Sequence, residues 1–427
     1  MGRYAEYKDS EVEWIGEIPV HWEITKVKRK CNIIGSGMTP ESNQPEYYDG
    51  NINWIQTGDL YHKTNVYGTE KFVSELALKD YSVLSIYYAP FIVIAMYGAS
   101  IGNVAISKID ACVNQACCVI LPSDNIKMMF MFYWIKNCKE DFIKHSLGGG
   151  QPNISQNKIK GQVLIVPPLK EQTTIINYLD KYTSKIGELI SDLQTQLTML
   201  TRYKRDLIAE CVTKGLNKDA PMRPSGEDWI GDVPEHWKIV PLRAFLKSNN
   251  KKNLGGLPLL SVERERGVVN RETDGSPDNY NRIPDDLSNY KMVNEGQFVM
   301  NKMKAWQGSY GVAPCDGIVS PAYHVYDLVF ENKAFFNYAI RSKCYVGFFG
   351  RDSYGIRTDQ WDFKAECIKH IPFVVPSLEE QKEIVNYLSK QVSRINSLQE
   401  NITSQIQKLK DYRRILIHDA VTGKIKI

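Results

Sequence analysis

The sequence predicts an α/β (α+β) protein in which one half-protein is written twice. Two mixed α/β domains are separated by two long antiparallel coiled-coil helices, related by an internal pseudo-twofold repeat. Three observations carry this prediction. Trp14-Ile-Gly-Glu-Ile-Pro-Val-His-Trp22 recurs as Trp229-Ile-Gly-Asp-Val-Pro-Glu-His-Trp237, displaced by 215 positions. Segment 166–213 matches 375–422 without a gap, with 21 of 48 positions identical. Both of those segments also carry the same apolar spacing. A period above 200 residues is too long for a solenoid and marks a duplicated half.

The elements then follow in order. Residues 1–24 hold the first repeat motif and 25–165 the first domain. Residues 166–215 form the central helix, and 216–239 contain a linker and the second motif. The second domain covers 240–374 and the second helix 375–427. Apolar positions in the first helix step by four and three: Ile175, Leu179, Tyr182, Ile186, Leu189, Leu193, then Gln196, Leu200, Tyr203 and Leu207. The second reads Ile384, Leu388, Gln391, Ile395, Leu398, Ile402, Gln405, Leu409, Tyr412 and Leu416. That is a heptad seam, and it puts Gln196 and Gln405 at equivalent seam positions. Pro168 and Pro376 mark an extended approach to each helix, and Ser377-Leu-Glu-Glu380 has the capping-box pattern. About 40 helical residues make a rod of roughly 60 Å. The simplest arrangement packs the helices on each other within one chain; homodimerisation through the same seams is the competing one.

Inside the two domains, short apolar runs between Gly, Pro and Asn predict strand-rich cores. Phe91-Ile-Val-Ile-Ala-Met96 parallels Phe298-Val-Met-Asn-Lys-Met303, and Ser100-Ile-Gly102 parallels Ser309-Tyr-Gly311. Asp110-Ala-Cys-Val-Asn-Gln-Ala116 parallels Asp316-Gly-Ile-Val-Ser-Pro-Ala322. Framework positions match while the residues between them differ, as suits two modules that share a shape and read different ligands.

Composition narrows the function classes. The chain has 427 residues, 43% of them apolar, and a formal net charge of +4. Its pI is about 8.4 and its mean hydropathy −0.34. The longest apolar run, Ile86 to Tyr97, is 12 residues with Pro90 inside it, far short of the roughly 20 that span a bilayer. It is expected to be a buried strand. No secretory signal is visible in the polar first ten residues, and no membrane role is expected. Nine scattered cysteines without a Cys-x-x-Cys pair, and seven histidines without metal spacing, predict neither disulfides nor a metal site, and a reducing cytoplasm. Basic residues outnumber acidic ones by 14 to 11 in 25–165 and by 18 to 15 in 240–374, against 6 and 6 in 166–213. The positive excess thus sits in the two variable domains, which permits a nucleic-acid partner.

Chemistry is not visible. There is no P-loop, Gly35-Ser-Gly37 lacks a third glycine, and Pro167-Pro168 is not preceded by Asn or Asp. Acidic-x-Lys triplets at Glu331–Lys333 and Glu380–Lys382 lack a Pro-Asp partner. No serine elbow or metal cluster is present, so no catalytic residue is expected.

Taken together, the two Trp-Ile-Gly…His-Trp segments and the two Val-Pro-x-Leu-x-Glu-Gln helix starts give the chain a specific resemblance. Gly37-Met-Thr-Pro40, Gly148-Gly-Gly-Gln-Pro-Asn-Ile-Ser155, Asn301-Lys-Met-Lys-Ala-Trp-Gln-Gly308 and Ser320-Pro-Ala-Tyr323 complete it. In this order the motifs resemble the specificity (S) subunit of type I restriction-modification systems over essentially the whole chain. The resemblance implies a non-catalytic subunit whose two variable segments are target-recognition domains, each reading half of an asymmetric bipartite double-stranded DNA target. It implies that the coil sets the spacer and docks two methyltransferase (modification) subunits, with restriction/translocase subunits joining that core. S-adenosylmethionine, ATP and Mg then belong only to those partners, and this chain has no cofactor. A DNA methyltransferase or nuclease with unrecognised motifs, or a protein-binding adaptor, are the alternatives.

Base readers must be polar and on loops. Candidates are Thr39, Thr57, Gln151 and Asn153 in the first domain, and Lys302, Lys304, Gln307 and Arg357 in the second, with Trp306 as a stacking or wedge residue. Arg and Lys pair with guanine O6/N7, and Asn and Gln with adenine N6/N7. Two roles fit Trp14, Trp22, Trp229 and Trp237: partner-binding hot spots, or anchors of each module to a helix. The anchor role fits better, with His21 and His236 as hydrogen-bonded structural residues.

Overall fold

A computed structural model describes residues 2–61, 63–146, 152–252, 255–271, 286–351, 353–354, 362–364 and 366–427. The chain divides into two compact units, 1–192 with 404–427, and 193–403.

Unit 1 begins with a hairpin, Tyr7–Asp9 (β1) and Glu17–Pro19 (β2). The strand Glu23–Lys26 (β3) follows, then Cys31–Ser36 (β4), Ile52–Ile55 (β5), Asn65–Val66 (β6), Phe72–Val73 (β7) and the helix Glu75–Asp80 (α1). Next come Phe91–Ala95 (β8), Val104–Ser107 (β9), Cys112–Val113 (β10) and Cys117–Pro122 (β11). The helices Met128–Asn137 (α2), Lys139–Lys144 (α3) and Gln156–Gly161 (α4) precede Val163–Val166 (β12) and the long helix Leu169–Lys214 (α5). The main sheet runs β4-β11-β8-β9-β6, with a second sheet β10-β5-β7 beside it. β8 lies in the 12-residue apolar run and is the buried strand expected there. All five of its residues are at most 1% exposed. Phe91, Val93 and Ala95 pack with Ile55, Leu60, Val113 and Val119 on one side, and α2 covers the sheet as well. A strand covered on both faces reads as a continuous apolar run.

Unit 2 repeats this order. A hairpin, Met222–Pro224 (β13) and Asp232–Pro234 (β14), leads to Lys238–Pro241 (β15) and Leu246–Asn249 (β16). Leu260–Glu263 (β17), Gly267–Asn270 (β18) and Lys291–Val293 (β19) come next. Phe298–Asn301 (β20), Tyr310–Val312 (β21), Gly317–Val319 (β22) and Tyr323–Leu328 (β23) follow. The helices Lys333–Ile340 (α6) and Lys343–Arg351 (α7), the pair Ser353–Tyr354 (β24) and Asp362–Phe363 (β25), then Pro372–Val375 (β26) and Leu378–Val421 (α8) complete it. Its main sheet, β16-β23-β20-β21, matches β4-β11-β8-β9 strand for strand. The two domains are one fold with two surfaces.

Each unit contains half of each long helix. In unit 2 the pairing is antiparallel, because Thr201 meets Gln399 while Lys204 reaches Asn396. Leu193, Leu200, Leu207, Ile402, Leu409 and Leu416 keep to the heptad register and are buried or half-buried, but the register holds in full only to Ile186 and Ile395. Beyond them Leu189, Tyr203, Leu398 and Tyr412 are 44–54% exposed, and Gln196 and Gln405 are exposed too. The inward-facing positions are instead 175, 179, 182, 186, 190, 193, 197, 201, 204 and 208 in α5. In α8 they are 384, 388, 391, 395, 399, 402, 406, 409, 413 and 417. The steps four, three, four repeat every 11 residues, or 3.67 per turn, so the stripe does not require left-handed supercoiling. A strict heptad drifts about 20° per repeat on a straight helix, and from the third repeat one of its two rows, 189–196–203 in α5 and 398–405–412 in α8, has left the contact. Gln196 and Gln405 are therefore surface residues and not seam residues. Gln196→Ala and Gln405→Ala should each change stability by no more than about 0.5 kcal/mol. Ile190→Ala should cost about 2 kcal/mol or more, read from a chemical denaturation midpoint.

Candidate nucleic-acid interface

Each repeat motif is tied to the start of its long helix. β3 pairs with β12 from Lys26↔Val163 to Glu23↔Val166, which brings His21 and Trp22 to the first turn of α5. There the Glu171 carboxylate accepts from Trp22 Nε1 at 3.0 Å and Tyr4 Oη at 2.9 Å, and pairs with His21 Nε2 at 2.7 Å. Unit 2 repeats the device. β15 pairs with β26, and Glu380 accepts from Trp237 Nε1 at 3.2 Å and meets His236 Nε2 at 2.9 Å. Ser377 and Glu380 also close the expected capping box. Burial raises both carboxyls, but the hydrogen bonds from His and Trp outweigh it and hold them below the usual range. Trp22 and Trp237 are each 1% exposed, so neither indole offers a face to a partner. That corrects their assignment as partner-binding residues. Trp14, beside Trp134 and His418, and Trp229, beside Tyr345 and Phe348, stay partly exposed.

At one end of the unit 1 sheet, the loops bring several sequence candidates together. β4 ends at Ser36 opposite Cys118, and β8 ends at Ala95 opposite Cys117. The segment following β4 lies against the end of β10 because residue 37 is glycine. A Cβ there would fall 1.7 Å from the Val113 carbonyl oxygen. Thr39 is thereby placed to donate to Gln115 Oε1. Asn114 N bonds the Ile55 carbonyl at 3.1 Å, which sets the turn beginning at Thr57 beside this loop. Asn153 bridges Tyr97, with Gly98 N on the Pro152 carbonyl at 2.8 Å. Thr39, Thr57 and Asn153 therefore share one surface, joined by Gln115 and by Tyr97, which is 44% exposed. Gln151 lies outside the described residues. Sequence reasoning missed Gln115 and Tyr97. The signal for Gln115 was present, since Asn114-Gln115 stands against Ser320-Pro321 in the aligned segments.

The corresponding end of unit 2 has a different chemistry. Lys302, Lys304, Trp306 and Gln307 sit on a short 3-10 helix, Lys302–Gln307, between β20 and β21. Asn301 opens it by accepting from Met303 N, and Gly308 closes it at φ 93°. Lys304 is exposed, while Lys302, Trp306 and Gln307 are half-buried. Lys291 Nζ donates to the Tyr323 carbonyl at 2.7 Å, and Met292 N bonds the Lys251 carbonyl at 2.8 Å. Lys251, Lys252, Lys291, Lys302 and Lys304 thus converge where β16 and β20 end. Burial and then the Lys302 charge lower the affinity of Lys291 for its proton. Sequence reasoning missed Lys251, Lys252 and Lys291. Arg357 lies outside the described residues. Unit 1 carries no Lys or Arg in the loops named above, so its positive excess lies elsewhere on the domain.

Among the described residues no group of three or more His, Cys, Asp or Glu could hold a metal ion. No helix there is long and apolar enough to cross a membrane. All nine cysteines are free thiols.

Comparison with known proteins agrees with this geometry. Residues 19–199 match the family described as type I restriction modification DNA specificity domain. The chain is 23% identical over 440 residues to the putative type I restriction enzyme MjaX specificity subunit of Methanocaldococcus jannaschii, covering 97% of this chain and 96% of that protein. It is 26% identical over 213 residues to the type I restriction enzyme EcoR124I/EcoR124II specificity subunit of Escherichia coli, covering 47% and 49%. A match to the MjaIX specificity subunit, also 26% identical, spans 56% of that relative. In fold, the chain superposes with a TM-score of 0.68, at 14% identity, on a solved chain from work on complex assembly and conformational transition of the type I R-M system. That superposition covers 96% of this chain and 99% of the other. Residues 19–199 thus carry a type I restriction modification DNA specificity domain, and the chain with its duplicated domains and paired helices is similar along nearly its whole length to a type I specificity subunit.

Proposed function

We propose that each unit reads one half of an asymmetric, two-part double-stranded DNA sequence through the sheet end described above. One observation carries this reading: the two sheets have the same strand order but different loop chemistry at the same end, neutral and amide-bearing in unit 1, lysine-rich in unit 2. Phosphate contacts supply affinity and position, and base-edge contacts supply sequence. Two different surfaces require two different half-sites, so the target is not a palindrome. The α5 and α8 helices set the spacer. A helix of 46 residues is about 69 Å long, enough to bridge sites one DNA turn apart, about 34–36 Å.

As a specificity subunit the chain supplies recognition and no catalytic step. Two methyltransferase subunits dock on it, with Trp14, Trp229 and the exposed Tyr203 and Tyr412 as contacts that recur in both halves. Restriction/translocase subunits join that core in the cytoplasm. S-adenosylmethionine, ATP and Mg act in those partners, and a specificity subunit supplies the sequence to which their chemistry is directed.

The test is selection of duplexes from a random pool by the full chain with its methyltransferase subunits, followed by sequencing. A motif of two unlike half-sites at fixed separation is expected. Recovery of a palindrome, or of no motif at all, would sink the proposal.

A further inference from the structure

We infer that Gln115 is a specificity-determining residue of unit 1, reading an adenine in its half-site, and that Thr39 is the residue that positions it. This rests on the reading of unit 1 as a half-site reader and goes beyond it to a side chain and a base. The loop that carries Gln115 keeps its shape without it. Asn114 Oδ1 accepts from Ala116 N at 3.1 Å, and Cys117 N bonds the Asn114 carbonyl at 3.1 Å. In unit 2, Ser320 Oγ accepts from Ala322 N at 3.4 Å, and Tyr323 N bonds the Ser320 carbonyl at 3.0 Å. The two turns are built alike, from residue 114 or 320 and the backbone. Only the tip residue differs in kind, Gln115 against Pro321. An exposed side chain that its counterpart replaces with proline is not there to hold the turn.

Its amide is nevertheless held. Gly37 admits the segment after β4 against β10, Tyr48 Oη donates to the Pro40 carbonyl at 2.6 Å, and Thr39 between them donates to Gln115 Oε1. The bond occupies one lone pair of that oxygen and orients the amide. The second lone pair and the Nε2 hydrogens stay available. An acceptor and a donor side by side on a fixed plane complement adenine N6 and N7 in the major groove. Fixing the amide before binding removes much of the rotamer cost of that contact.

The experiment is the same duplex selection, by the full chain with its methyltransferase subunits, carried out for the wild type and for Gln115→Ala, Thr39→Val and Thr39→Ser. Gln115→Ala should lower the preference for adenine at one position of one half-site roughly 10-fold or more, since a bidentate base contact discriminates by that much. The other half-site, read by unit 2, should be unchanged, which also reports that the variant is folded. Thr39→Val should weaken the same position by a smaller factor and Thr39→Ser should restore it. The inference is overturned if Gln115→Ala leaves adenine preference intact, if both half-sites change, or if Thr39→Ser behaves as Thr39→Val. A wild-type chain that selects no two-part motif overturns the half-site reading itself, and is told apart because it needs no variant.

Discussion

Trp237→Ala should destabilise the protein by about 3–5 kcal/mol, the cost of emptying a large aromatic site in a core. Domains of this kind have only about 5–15 kcal/mol in all. The Trp237 side chain is 1% exposed and packs in the cluster that includes Val212, Leu242, Phe373 and Leu388. Gly215, at φ 77°, lies so close that a Cβ there would sit 3.1 Å from the indole. Its removal opens a cavity and takes away one donor to Glu380. By contrast, the His236 side chain is 53% exposed, so His236→Ala should cost no more than about 1 kcal/mol. Urea denaturation midpoints distinguish the two variants, and amide exchange should quicken at Val240, Val374 and Leu388. A loss below about 1 kcal/mol for Trp237→Ala would show that the indole does not hold β15 and β26 to the helix.

The same anchor has a pH signature with a definite sign. The folded Glu171 and Glu380 carboxyls titrate below their unfolded values. Their contribution to stability is fully present above the unfolded carboxylate pKa and fades as pH falls through the lower, folded one. Trp237→Ala removes one of the bonds that cause the shift at Glu380, so part of the acid-side fall in stability should vanish with it.

How much of this was legible in the sequence depends on whether a feature is local. The repeat motifs, the capping box at Ser377 and the buried strand at Phe91–Ala95 each follow from nearby residues and their spacing. The phase of the long helices did not. A step of seven and a step of 11 agree over the first four contacts, 175, 179, 182 and 186 in α5, and the apolar character of Leu189, Tyr203, Leu398 and Tyr412 favoured the wrong one. These residues recur at equivalent positions in both halves yet face outward, so their hydrophobicity answers to something other than the helix pair. The anchoring of Trp22 by Glu171, 149 residues away, and the meeting of Thr39 with Gln115, 76 away, are products of strand pairing that spacing does not encode. Thr39 is legible as a polar residue on a loop, within Gly37-Met-Thr-Pro40. Its partner was passed over because a Gln beside a strand resembles any solvated residue.

Replacing Lys251, Lys252, Lys302 and Lys304 together with Gln should flatten the salt dependence of DNA binding and leave both half-site sequences intact. Each lysine that neutralises a phosphate steepens the slope of log K against log salt by about 0.9, so loss of four should reduce it by roughly 3 to 4. This is the larger of the two lysine roles on geometric grounds. Lys251 and Lys252 are exposed just beyond the end of β16, and Lys304 is exposed on the short helix after β20. A long, flexible ammonium in such a place is a point charge suited to phosphate, without the flat bidentate geometry that selects a base. Lys291 is left out of the set because its ammonium is engaged with the Tyr323 carbonyl and its loss would disturb the strand ends. Binding of the full chain with its methyltransferase subunits, measured between 50 and 200 mM salt on about the same duplex, separates the possibilities. An unchanged slope would remove this face from the DNA interface. A slope that falls together with a relaxed base in one half-site would instead make one of the four lysines a reader. Lys302 is then the residue to restore first, since it is the least exposed of the four and the closest in charge contact to Lys291.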